Sequence, residues 1–452
     1  MKAQPSNNVW NEKYYNESTR PGDTRKPYEH DPDRVVYSSA FRRLQAKTQV
    51  LGVGEGDFHR TRLTHSIEVS QLGLGILRVI LRNNRINQDL KSHLPSHWNM
   101  TAICLAHDLG HPPYGHGGEV ALNCKMIKNG GFEGNAQTFR IITNLEKYNG
   151  NPGLNLTRRT LLGLLKYPAT FSRTHRVMTL RDNRTKLMRK LSKYESWDLF
   201  KPPKCHYDSE SNVVEWILAP FSSHDRTLFT KVDKPESGKV TKPTGRSLDS
   251  SIMELADDIA YGVHDLEDMA SLGLVDREKI SINYESSWAT SHGLPLDANQ
   301  LATQILKKGT ERWKRREAAS AIINALVTSI EINEIPGFDH PYLRFTASLS
   351  NPARLFLDSL QDIVMDNVIE STEVRIADFK GMHLISNLFE AILSNTSRIL
   401  KESFQEDFNL DTNDTARLRV VCDFIAGMTD EYAARYFERL FMPHQGSVFQ
   451  KL

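Results

Sequence analysis

The sequence predicts an all-α protein. Apolar residues recur at three- and four-residue spacings over long stretches, and period-two alternation is nearly absent. Composition agrees: 39% hydrophobic and 25% charged residues in a 452-residue chain supply a large core and exclude a disordered one.

In chain order, residues 1–33 are polar and rich in Pro, Asn and Asp, and read as an N-terminal arm. Residues 63–82 are apolar with few breakers and predict a long buried helix. A second helix is predicted over 99–109 (NMTAICLAHDL), with Gly110 as its stop and Pro112 and Pro113 preventing continuation. Residues 211–218 (SNVVEWIL) are read as one strand of a small β-hairpin, and the Lys-, Pro- and Gly-rich stretch 229–247 as a loop. A third helix is predicted over 248–270, where Ile252, Leu255, Ile259, Val263 and Leu266 form one stripe. Amphipathic stretches follow over 299–332, 352–370, 381–402 and 415–441. No repeat or linker divides the chain. The expected layout is the arm 1–33, a core 34–280 with an insertion at about 168–247, and a helical region 281–452 packed on that core.

Fifty-seven basic against 55 acidic residues give a net charge of +2, which excludes a globally basic nucleic-acid coat. No apolar stretch approaches the roughly 20 residues a membrane helix needs. The opening MKAQPSNNVW carries no signal segment, and Cys104, Cys124, Cys205 and Cys422 form no CxxC pair. A cytoplasmic protein without a disulfide framework or cysteine zinc site is expected.

The densest chemistry is HDLGHPPYGHGGE, residues 107–119: three histidines, an aspartate and a glutamate among Gly and Pro. A lone buried histidine is usually a satisfied core residue. Here an adjacent His107–Asp108 pair closes an apolar helix, with His111 and His116 in the turn beyond. Imidazole and carboxylate are ligands for Mn²⁺, Fe²⁺, Ni²⁺ or Zn²⁺. His65, inside the first apolar helix, costs energy to bury unless bonded or coordinated. Asp257, Tyr261 and Asp265 are four apart and share one helical face; Asp258 and Glu254 nearby leave open a solvated acidic face.

The order His65, His107-Asp108, Asp257 resembles the H…HD…D signature of the HD metallophosphohydrolase superfamily. HDLGHPPYGHGGE, AFRRLQAKTQV upstream, ADDIAYGVHDLED and DFIAGMTDEYAARYFERLF resemble, in order, segments of the deoxynucleoside triphosphate triphosphohydrolase (dGTPase) family. The resemblance runs from about residue 20 to 441. It implies an HD-domain helical core and a divalent metal (Mn²⁺, Mg²⁺, Fe²⁺ or Ni²⁺) held by His65, His107, Asp108 and Asp257. Asp257 is preferred over Asp258 because it gives the family spacing to Tyr261 and Asp265. It further implies His116 as a catalytic histidine, acid or nucleophile, with Glu119 as its carboxylate partner and His111 near the transferred phosphorus. Gln45 and Asp265 are implied to bond the sugar 3′-hydroxyl, Tyr261 to stack under the deoxyribose, and Arg62, Lys166 and Tyr167 to contact phosphate.

The implied reaction is attack at the α-phosphorus of a dNTP, dGTP favoured, releasing deoxynucleoside and intact triphosphate. Closed homo-oligomers, a hexamer favoured and a tetramer second, are implied as well. The rivals are another HD phosphohydrolase, such as a phosphodiesterase or 5′-monophosphatase, and a catalytically silent nucleotide- or DNA-binding regulator. A basic cluster (Arg173, Arg176, Arg181, Arg184, Lys186, Arg189, Lys190, Lys193) and the patch Lys307–Arg316 around Trp313 are candidate contacts for single-stranded DNA or an effector nucleotide; a solvated helix face is the plainer reading of the first.

Overall fold

The computed structural model describes residues 9–47, 49, 60–84, 86–175, 197–233, 240–272, 282, 284–295, 300–301, 304–305, 311–369, 371–410 and 413–442. All members of the first basic cluster except Arg173, and Lys307 to Thr310 of the second, lie outside these residues.

Among the described residues the protein is mainly helical. Helices α1 (Asp31–Tyr37) and α2 (Ser39–Arg43) lead into α3 (Arg62–Arg82). Thr61 starts α3 by a capping box with Thr64, and His65, Val69, Leu72, Ile76 and Ile80 bury one stripe of it. Helix α4 (His97–Ala106) is capped by Ser96, packs along α3 and ends at His107. Helices α5 (Gly115–Met126), α6 (Gly134–Arg140) and α7 (Arg158–Leu164) follow, with a two-residue hairpin of β1 (Lys147–Tyr148) and β2 (Asn151–Pro152) between the last two.

The predicted strand 211–218 is instead a helix, α8 (Ser211–Leu218). Its β-branched residues suggest a strand, but Val214, Ile217 and Leu218 sit at i, i+3 and i+4 and are buried, so the helical stripe decides. Helix α9 (Leu248–Ala260), capped by Ser247, packs against α3 and continues through a wide π turn, Tyr261–Asp265, into α10 (Leu266–Leu272).

The stretch predicted helical over 299–332 ends as helix α11 (Arg312–Thr328), and strand β3 (Ile330–Glu334) follows. It pairs antiparallel with β4 (Phe345–Leu349) in the register Ile330↔Leu349 to Glu334↔Phe345, so the longer hairpin lies here. Helices α12 (Asn351–Val364), α13 (Thr372–Ser394), α14 (Asp414–Ala426) and α15 (Asp430–Phe441) complete the chain, with short helical segments between α13 and α14. The stretch 415–441 is therefore two helices, broken between Gly427 and Thr429, where Thr429 caps α15.

Two apolar cores result. One joins α3, α4, α7, α9 and α12; the other joins α5, Phe171, Cys205 and Tyr207 to α13, α14 and α15. The second core packs the C-terminal helices directly on the segment that follows His107. The described part of the arm is also anchored: Trp10 is buried among Phe221, His340 and Tyr342, and Asp31 accepts bonds from Thr157 and Thr160. No helix among the described residues is long and apolar enough to cross a membrane.

Candidate metal centre and phosphate-facing site

The α4 terminus turns sharply into the Gly/Pro segment. Gly110 permits this: a Cβ there would stand 2.1 Å from the Thr138 amide nitrogen and 2.2 Å from the Gly134 carbonyl oxygen. Tyr114, with φ 61°, holds the left-handed conformation just before α5; Asp430 accepts its amide at 3.0 Å and its hydroxyl at 3.3 Å.

This turn brings His107 against α3 and α9. His65 Nε2 lies 3.0 Å and His107 Nε2 3.6 Å from Asp257 Oδ1. One ligand atom from each of the three falls within 4.8 Å of the others. His107 Nδ1 donates to the Cys104 carbonyl at 2.6 Å, which leaves Nε2 as the coordinating lone pair; that nitrogen is buried with no hydrogen-bond partner. Two imidazoles and a carboxylate thus converge, with one nitrogen of each ring, His65 Nδ1 and His107 Nε2, buried without a hydrogen-bond partner, a donor set that fits a divalent transition metal. Burial disfavours a charged ring, yet Asp108 and Asp257 outweigh it and push His107 up to about 9. Burial raises Asp257 as well, but His107 and His65 hold it well below the usual carboxylate range. The pocket favours positive charge.

Asp258, one residue on, turns away and pairs with Arg354 at 2.8 Å. Asp108 stands beside the triangle, 3.5 Å from His107 Nε2, with its other oxygen bonded by Arg62 Nη1 at 2.8 Å and its first oxygen 3.1 Å from His111 Nδ1. Arg62, implied to clamp phosphate, is here buried and engaged with Asp108.

His116 sits on the first turn of α5 with 79% of its side chain exposed to solvent. Its Nδ1 lies 3.3 Å from Glu119 Oε2. Glu119 is buried and also accepts the Gly134 amide at 2.8 Å; although burial raises it, Lys204 and His116 hold it ionised. His111 lies 6.4 Å from His116, ring centre to ring centre.

Lys166 and Tyr167 follow α7. Lys166 Nζ lies 5.8 Å and Lys204 Nζ 6.0 Å from the Tyr167 ring centre. Lys204 was not found by sequence reasoning. It sits 3.8 Å from Glu119 and 2.7 Å from Glu133, carried in from the insertion by backbone bonds to Thr241 and, through His206, to Ala169. The two lysines of KPPKCHY, Lys201 and Lys204, form no pattern that would single out the second.

Gln45 is exposed on a short turn two residues before Lys47. Asp257 and Tyr261 keep the α-helical spacing, with the Tyr261 amide donating to the Asp257 carbonyl, whereas the π turn widens the helix between Tyr261 and Asp265. Tyr261 is half-buried and Asp265 buried; burial first, and Asp268, push the Asp265 carboxyl up to about 7 against His65 and Arg60.

A helical fold that gathers a histidine, a His-Asp pair and a distant aspartate from three helices has the residue arrangement of an HD-type protein, one that could hold a metal ion. Residues 347–439 match the family model of the phosphohydrolase-associated domain. The whole chain is similar to a deoxyguanosinetriphosphate triphosphohydrolase-like protein of Shewanella halifaxensis, 42% identical over 98% of each chain. It is similar also to the like protein 2 of Deinococcus radiodurans, at 42% over 98% of each, and to the like protein of Vibrio parahaemolyticus, at 43% over 96% of this chain and 97% of the other. The chain belongs to the HD-domain deoxyguanosinetriphosphate triphosphohydrolase-like family.

Proposed function

We propose that this protein hydrolyses deoxynucleoside triphosphates, dGTP preferred, to deoxynucleoside and inorganic triphosphate. The observation that carries the reading is the His65, His107 and Asp257 triangle, with Asp108 beside it, whose His107–Asp108 pair is followed in the same turn-and-helix segment by the exposed His116 and its partner Glu119. The relatives are named as deoxyguanosinetriphosphate triphosphohydrolase-like proteins, which favours dGTP.

His65, His107, Asp108 and Asp257 would hold a divalent metal, which would supply Lewis-acid chemistry at the α-phosphoryl group. Glu119 stays ionised and orients His116, whose ring delivers a proton to the departing 5′-oxygen. His111, braced on Asp108, lines the same pocket near the phosphorus. Lys166 and Lys204, both near the Tyr167 ring, hold the polyphosphate, and Arg62 fixes Asp108 at its α-phosphoryl end. Tyr261 supports the deoxyribose face, and Gln45 and Asp265 take the 3′-hydroxyl.

The test is a product assay. Each dNTP and GTP is incubated with the protein and Mn²⁺ or Mg²⁺, and products are resolved by ion exchange. Deoxynucleoside plus triphosphate is expected, with dGTP fastest; stepwise phosphate or pyrophosphate assigns a different HD activity, and no turnover, even with mixed dNTPs present, favours a silent regulator. A second expectation concerns the sugar. Tyr261→Ala should lower the dGTP-over-GTP ratio of kcat/KM by about ten-fold, because the ring no longer excludes a 2′-hydroxyl. An unchanged ratio places the sugar filter elsewhere.

The protein is further proposed to form a closed homo-oligomer, a hexamer favoured. Exposed apolar residues such as Leu355 and Ile376 support self-association.

A further inference from the structure

Arg60 lies just before α3, and its bonds go to groups that no step above uses. Nη1 donates to the His264 carbonyl at 2.8 Å and to the Asp268 carboxylate. Nη2 donates to Glu68 Oε1 at 3.2 Å, and Nε lies 2.8 Å from Glu68 Oε2. His264 Nδ1 lies 3.2 Å from that same Glu68 oxygen. The contacts close a ring that joins α3, which carries His65, to the π turn and α10.

The placement has a physical reason. A π turn interrupts the regular i to i−4 ladder and frees carbonyl groups. His264 lies inside this one, and its carbonyl is met by Arg60. A guanidinium suits the task because its planar fork reaches three acceptors at once, where an ammonium is a point charge. The Arg60 side chain is 13% exposed, so these pairs are stronger than pairs on an open surface.

We propose that Arg60 is a positioning residue for sugar recognition: by clasping His264 and Asp268 to Glu68, it fixes the rotation of the turn that carries Tyr261 and Asp265 relative to His65. The role rests on the function proposed above and goes beyond it. The clasp is made by Arg60, Glu68, Asp268 and the His264 carbonyl and bonds none of His65, His107, Asp108 or Asp257, so its loss is expected to separate sugar selectivity from metal binding.

The experiment compares the full-length wild type with Arg60→Met and Arg60→Lys. Three quantities are read: kcat and KM for dGTP and GTP, bound metal by elemental analysis, and deuterium exchange of the peptide spanning the π turn. For Arg60→Met, KM for dGTP should rise roughly ten-fold, the scale of one lost charge-assisted interaction, while kcat stays within about three-fold. The dGTP-over-GTP preference should fall by about the same ten-fold, metal content should hold, and exchange should quicken over the π turn. Arg60→Lys should recover part of each change. If Arg60→Met does not accumulate folded, Asp268→Asn, which removes one arm of the clasp, carries the same expectation at smaller size.

An unchanged sugar preference in an active background, or unchanged exchange over the turn, overturns the positioning role alone. Equal losses of kcat on both sugars with falling metal content also overturn it, by making Arg60 a support for the metal site. No turnover by the wild type overturns the parent reading, and the sugar role with it.

Discussion

Asp257→Ala is expected to lose metal and turnover together. Asp257 Oδ1 is the point on which both His65 and His107 converge, and without it the two imidazoles have no shared anionic partner. The loss of metal affinity should exceed the roughly 10–100-fold that follows removal of a mere hydrogen-bond partner of a ligand. Elemental analysis and calorimetric titration with Mn²⁺ read it directly. Asp258→Ala is the matched control. Its carboxylate pairs with Arg354 on a partly exposed surface, so it should cost less than about 1 kcal/mol of stability and leave metal content intact. The opposite pattern, metal lost in Asp258→Ala and kept in Asp257→Ala, would overturn the assignment of that helix.

His116→Ala is expected to lower kcat by about 10²–10⁴-fold, the range for removing a general acid, while metal content and nucleotide binding persist. The side chain is exposed and pairs with Glu119, outside the three-residue triangle, so its removal should leave that triangle untouched. Single-turnover rates with saturating dGTP check this, beside equilibrium binding of a non-hydrolysed analogue. A variant that retains wild-type rates would remove His116 from the chemistry. One that loses binding in parallel would make it a substrate contact instead.

The long periodic helices were legible because burial imposes its period on sequence: α3 and α9 are marked by stripes that need no tertiary information. The SNVVEWIL segment was misread because β-branched residues fit either structure, and only the partner surface decides between them. The hairpin of β3 and β4 was hidden for the converse reason. Glu331, Asn333 and Glu334 are polar, so the strand looked like the frayed end of the preceding helix.

At the site, the residues of the Gly/Pro segment were conspicuous because their spacing is local. Lys204 and Arg60 were not, since each works through contacts made across the fold. The π turn was equally invisible: a spacing of four residues implies one face only while the helix keeps its usual 3.6 residues per turn.

The bonds from Tyr114 to Asp430, and from the buried Lys47 ammonium to the carbonyls of both His111 and Ala426, reach across the boundary at which the associated domain is drawn. The Gly/Pro turn therefore takes its shape from two stretches of gene some three hundred codons apart. Such halves are inherited as a matched pair. A substitution at Asp430 selects for its answer near Tyr114, and recombination that exchanges one half between distant relatives separates residues that had adjusted to each other.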